Sequence, residues 1–167
     1  MKLYSILAVL FITLILPIAT LACSPQETNE ESRFGVYLVD TGGLILSEHH
    51  IESYNSSSHE IELNAAGIEQ WNSFVKSHDP GDWHASDIWC LHQKEFSVKM
   101  DGEEIYTGQF WSPLSSLMYE GVVIMYFPKL YDEFNTLWIN SFQPDDNDPI
   151  NDPRVIDFFA GEGLLEN

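Results

Sequence analysis

Cys23 is the side chain whose neighbours specify a covalent reaction. One basic residue, Lys2, precedes an uncharged run from Leu3 to Ala22, and the cysteine follows Thr20-Leu21-Ala22. A polar, acidic stretch begins directly after it. That order reads as a bacterial lipoprotein signal peptide, with cleavage before Cys23 and acylation of the new first residue. The apolar run is also long enough to span a bilayer, which takes about 20 residues, so an uncleaved anchor is the competing reading. Pro17 late in the run, the small Ala22 and the abrupt polarity change favour cleavage. Thr20 departs from the Leu usual three positions before the cysteine. Ser24, not Asp, follows it, which in a two-membrane bacterium implies the outer membrane. Two or more acyl chains hold a protein stably where one does not. The expected place is therefore the bacterial cell envelope, lipid-anchored on the extracytoplasmic face of a membrane.

A second constellation is Val39-Asp40-Thr41-Gly42, an apolar strand delivering an Asp. It resembles the D-T-G of aspartic proteases, where two carboxylates share one proton and activate water. Gly43 stands where Ala or Ser is usual, and only a polar segment precedes Phe34 where such enzymes have a hairpin. A strand ending in a turn by chance is the preferred account. The expectation is no enzyme, with Asp40 as the alternative catalytic residue.

Hard oxygen ligands gather at Asp145, Asp146, Asp148 and Asp152, which suits Ca²⁺. The Gly and closing Glu of an EF-hand loop are missing, and a solvated loop needs no cation. No cofactor is expected, with Ca²⁺ at these aspartates as the alternative. His49, His50 and His59 flank strands, while His78, Asp79, His84, Asp87, Cys90 and His92 cluster further on. None of their spacings matches a tight zinc signature. With Cys23 acylated, Cys90 is the one cysteine left, so no internal disulfide forms; apolar Trp89 and Leu91 beside it point to burial. Of the five tryptophans, Trp71 reads as core. Trp83 and Trp89, in a loop after Asp79-Pro80-Gly81, are the candidates for exposed binding contacts.

Seven basic and 26 acidic residues give a net charge of −19, and removing Lys2 with the signal peptide leaves −19 − 1 = −20. Such a chain repels phosphate backbones and anionic lipid, so nucleic acid is excluded as a partner. Cations and basic proteins are attracted, although solubility alone accounts for the charge. The expected partners are the membrane through its anchor, and exported proteins or envelope components. Aromatic content of 13% argues against a disordered chain.

These residues need a frame. Residues 1–22 read as the signal peptide, 23–33 as the lipidated cysteine and a flexible tether, and 34–167 as one domain. Phe34 to Asp40 has strand length and composition, and Thr41-Gly42-Gly43 turns the chain. Leu44 to Tyr54 reads as the next strand. In His59 to Leu63, Ile61 and Leu63 alternate with Glu60 and Glu62. Asn64 caps a helix from Ala65 to about Ser77, with Ile68, Trp71, Phe74 and Val75 on one face. Glu95 to Phe110 is a hairpin whose Asp101-Gly102 suits a two-residue turn with positive φ at both positions. Leu114 to Glu120 reads as a short helix. Gly121 to Phe127 reads as a buried central strand, and Leu137 to Phe142 as a further one. Asp152-Pro153 starts a C-terminal helix with Val155, Phe158 and Phe159 inward, stopped by Gly161. The fold class is α+β: a mixed or antiparallel sheet packed against one main helix and a short C-terminal helix.

Residues 59–127 resemble the periplasmic P1 head subdomain of the SecD protein-export subunit. The matching residues are Ile61, Leu63, Gly67 and Trp71, then Val98, Asp101, Gly102 and Ile105, then Gly121, Val122 and Ile124. SecD proteins continue into several membrane helices, and no further apolar stretch of that length follows Cys23 here. The resemblance implies a shared α+β fold and a role in binding exported chains, without translocase activity.

Overall fold

The computed structural model describes residues 32–78, 89–142 and 148–166. The signal peptide, Cys23 and the tether up to residue 31 lie outside them.

Apolar alternation and two kinds of turn generate the strands. Phe34–Leu38 (β1) turns at Gly42, whose φ is +67°, into Leu44–Ser47 (β2). Ile51–Asn55 (β3) pairs antiparallel with Glu60–Leu63 (β4). Glu95–Met100 (β5) and Glu103–Trp111 (β6) form the expected hairpin, with φ of +46° at Asp101 and +80° at Gly102. Val122–Met125 (β7), Thr136–Ser141 (β8) and the two-residue Leu165–Glu166 (β9) complete one mixed sheet in the order β2-β1-β5-β6-β7-β8-β4-β3-β9. The pairs β6–β7 and β3–β9 are parallel, and the others antiparallel.

The sheet curls into a half-barrel instead of lying as an open layer on one helix. β2 and β3, first and eighth in the order, are joined by only three residues, the 3₁₀ turn Glu48–His50. The sheet must bend until its two margins meet there. The long strand expected over Leu44 to Tyr54 is split at this turn because the Ser47 amide donates to His50 Nδ1 at 2.9 Å, closing the chain locally.

Two helices fill the concave side. Asn64 caps Ala65–His78 (α1): its Oδ1 accepts from the Gly67 amide at 2.9 Å, and its Nδ2 donates to the His49 carbonyl at 2.9 Å. The helix start is thereby tied to the turn that joins the sheet margins. A Cβ on Gly67 would sit 2.1 Å from the His50 carbonyl oxygen, so only glycine allows this approach. Trp71, fully buried, donates its indole N–H to the Phe127 carbonyl at 3.1 Å. Pro153–Glu162 (α2) starts at the expected Asp152 cap. It runs past Gly161 and stops at Gly163, where φ is +73° and Leu164 donates to the Phe159 carbonyl at 2.9 Å. Phe159 lies 4.9 Å from Phe34 on β1 and 4.8 Å from Tyr54 on β3, bridging both sheet margins.

The short helix expected at Leu114 to Glu120 is absent; that stretch is irregular chain. Ser112 and Ser115 hydroxyls accept from the Leu114 and Leu117 amides at 3.3 and 3.2 Å, turns that compete with helix. Among the described residues no helix is long and apolar enough to cross a membrane.

Candidate functional site

Strands β6, β7 and β8 present opposite faces with successive residues. Phe110, Ile124, Leu137 and Ile139 point into the core, so Trp111, Met125 and Trp138 point outward. Register sets these three in one line: Trp111 is opposite Met125, Met125 opposite Trp138, and Trp138 opposite Glu60 on β4. Directly opposed side chains have Cβ atoms about 5 Å apart and form a continuous surface. The Trp138 indole N–H donates to Glu60 Oε1 at 2.7 Å, which fixes that ring.

Each end of the row is extended by aromatic rings from loops. Phe134 and Phe127 lie 5.7 and 6.0 Å from Trp138. At the other end Trp111 is buried at 4% exposure, covered by His92 at 4.4 Å and by Tyr119, which stacks at 5.7 Å. Trp89 stands edge-on to His92 at 4.9 Å. His92 Nδ1 accepts from the Ser112 amide at 3.2 Å, so the proton of the neutral ring is on Nε2. That Nε2–H is buried with no hydrogen-bond partner among the described residues, and burial holds the imidazole pKa below its ordinary value. Beside this end the irregular chain leaves Met118, Leu114 and Leu117 in water, at 84%, 69% and 60% exposure.

A separate polar cluster lies at the β3–β4 turn. Tyr54 Oη and His59 Nδ1 are 2.9 Å apart. Burial pushes the Tyr54 hydroxyl up to about 12 and holds His59 down, the latter opposed by the Asp148 carboxylate.

The residues singled out from sequence fall in different places. Cys23, Trp83, Asp145 and Asp146 lie outside the described residues, as do Asp79, His84 and Asp87. Trp89 is 45% exposed and belongs to the aromatic surface. Asp40 sits on the exposed turn after β1 with Lys94 Nζ at 4.0 Å, and no second carboxylate is paired with it among the described residues. Asp148 is buried and accepts from the Ile150 amide at 3.2 Å. Asp152 accepts from the Arg154 amide at 2.9 Å and holds its guanidinium at 2.8 Å. Both carboxylates thus serve helix starts. Among the described residues no three His, Cys, Asp or Glu side chains converge as metal ligands. Cys90 is half-buried against the core.

Trp111, Tyr119, Met125 and Trp138 were not singled out by sequence reasoning as a surface. The usable signal was local: Phe110 and Trp111 are adjacent on one strand, so one of them must face outward. No protein-family model, curated protein or solved structure matches this chain.

Proposed function

We propose that the protein is a non-catalytic binding protein held on the extracytoplasmic face of a bacterial membrane by acylated Cys23, with the aromatic outer face as its binding surface. The observation that carries the reading is the outward pair Met125 and Trp138, both half-buried, with exposed Phe134 beside Trp138 and Leu114, Leu117 and Met118 left in water beyond the buried Trp111. Contiguous apolar surface rimmed by polar groups marks interaction sites, and aromatic residues and Met are enriched at their centres. The rim here is acidic. Glu60 closes the row, Glu120 follows Tyr119, and Asp132 and Glu133 precede Phe134. With a net charge of −19, that rim selects an apolar segment carrying basic residues. The class of ligand is therefore a cationic, apolar stretch of an exported or envelope protein. The likeness of residues 59–127 to the SecD head subdomain agrees with such a ligand.

Tryptophan fluorescence of the full chain in non-ionic detergent tests this, titrated with a ten-residue peptide of alternating Leu and Lys. The expected result is a saturable change, absent with a Leu/Glu peptide and lost in the double variant Leu117→Asp, Met118→Asp. Saturable binding that survives this variant would move the site elsewhere. Intact mass of the chain purified from bacterial membranes tests the anchor, a diacylglyceryl increment on Cys23 being expected.

A further inference from the structure

β6 and β7 are parallel neighbours, so the chain between them must run back along the sheet over one of its faces. α1 occupies the concave face, where Trp71 lies 5.9 Å from Phe110. The return therefore crosses the convex face, as irregular chain from Ser112 to Gly121. Trp111 ends β6 opposite Met125, which sets Val122, the start of β7, opposite Gly108. The return has to cover three residue steps, about 10 Å along the strands. Its ten residues can extend to about 36 Å. Most of that length is slack.

The slack is held lightly. At its start the Ser112 amide donates to His92 Nδ1 at 3.2 Å, and the Ser115 amide to the Ser112 carbonyl at 3.0 Å. At its end the Gly121 carbonyl accepts from the Phe142 amide at 3.4 Å. Between these points, residues 116–120 make no hydrogen bond to described residues outside the strap. All five are exposed except Tyr119, which is half-buried with its ring stacked on Trp111 at 5.7 Å. One aromatic stack shifts an equilibrium by only about two- to tenfold. The ring reaches Trp111 by folding back over its own hinge. A Cβ on Gly121 would lie 2.8 Å from it, so glycine makes room for the closed position.

Tyr119 covers apolar surface that the core does not use. Trp111 is buried, yet it points away from the core cluster and continues by register into Met125 and Trp138. His92, packed on the same indole at 4.4 Å, brings a buried Nε2–H with no acceptor among the described residues. Leaving a buried donor unpaired is costly, and a ligand carbonyl placed there would recover that loss.

We infer that the strap 112–121 is a lid on Trp111, with Tyr119 standing where a ligand side chain goes. The ligand is the cationic, apolar protein segment proposed above, and the inference rests on that reading. A large apolar side chain of the segment takes the Tyr119 position on Trp111. A backbone carbonyl accepts from His92 Nε2–H, and basic residues meet Glu120 and Glu60. Leu117 and Met118 travel with the strap and close over the bound segment.

The test follows the indole N–H signals of the full chain by NMR in non-ionic detergent, with the Leu/Lys peptide as probe. Loss of one signal in Trp111→Phe assigns Trp111, and Trp138→Phe assigns Trp138. The peptide is expected to shift both signals. Tyr119→Ala is expected to raise peptide affinity about two- to tenfold, because the competing ring is gone. Gly121→Ala, which pushes that ring away, is expected to act in the same direction. Tyr119→Phe, which restores a ring on Trp111, is expected to bring affinity back toward wild type. A tyrosine that only supported the fold would lower affinity when removed. Saturable binding with the Trp111 signal unmoved would overturn the lid and leave the binding reading standing. So would a Tyr119→Ala chain that binds no better than wild type. Failure of wild type, Tyr119→Ala and Gly121→Ala alike to bind would overturn the binding reading and the lid with it.

Discussion

The two faces of strands β6 to β8 differ although they share one backbone. On the concave face Trp71 of α1 is fully buried, ringed by Phe74, Phe110 and Tyr126, its N–H on a backbone carbonyl. On the convex face Trp138 is half-buried, with its N–H on a surface carboxylate and Phe134 and Phe127 beside it. The concave residues are chosen by the volume they must fill. On the convex face Trp111 and Val123 are covered, while Met125 and Trp138 leave apolar area in water, an arrangement that folding does not require. Core packing and water-exposed apolar area are thus divided between faces one residue apart in sequence.

The contrast can be broken most directly at Trp71. Trp71→Ala should cost about 3–5 kcal/mol in urea denaturation, because it empties the middle of the core. That is a large share of the roughly 5–15 kcal/mol typical of whole domains. Gly67→Ala should cost about 1–3 kcal/mol, since the new methyl meets the His50 carbonyl and α1 must shift. Trp138→Ala should cost about 1 kcal/mol, as a half-buried ring on the outer face. A loss equal to that of Trp71→Ala would make the convex face part of the core and end the comparison.

Acidification sharpens it. Burial lowers the pKa values of His50 and His59, with His49 adding to the effect on His50; Glu48 opposes it at His50 and Asp148 at His59. The unfolded chain takes up these protons near 6.5, and the folded chain only at lower pH. Their contribution is present above pH 6.5 and is lost as pH falls through the folded values, so the thermal midpoint should drop below that point. His50→Gln with His59→Gln should flatten this part of the profile. The smallest effect is expected at Met118→Asp: stability within about 0.5 kcal/mol of wild type, with weakened peptide binding.

Much of the frame was legible because it is locally encoded. The Asp101-Gly102 turn, the Asn64 and Asp152 caps and the apolar run after Gly121 each depend on residues within a few positions. The curl was not legible, because it comes from strands far apart in sequence pairing across the sheet, as β4 does with β8. The helix expected after Leu114 failed since two serine hydroxyls take the amides that would begin it. Trp89 was picked out for its loop position. Trp111 and Trp138 could be placed together only once the register of three strands was known.

The three-residue link between β2 and β3 also constrains the order of assembly. It assigns the first four strands to the two margins of the sheet and leaves the middle to residues that come later in the chain. β1 has no partner on its inner side until β5 exists, and β4 none until β8 exists. A chain emerging N-terminus first therefore exposes unpaired strand edges until residue 141 has appeared, and pairings this distant close slowly. Closure of the sheet is therefore a late step that waits on residues far along the chain.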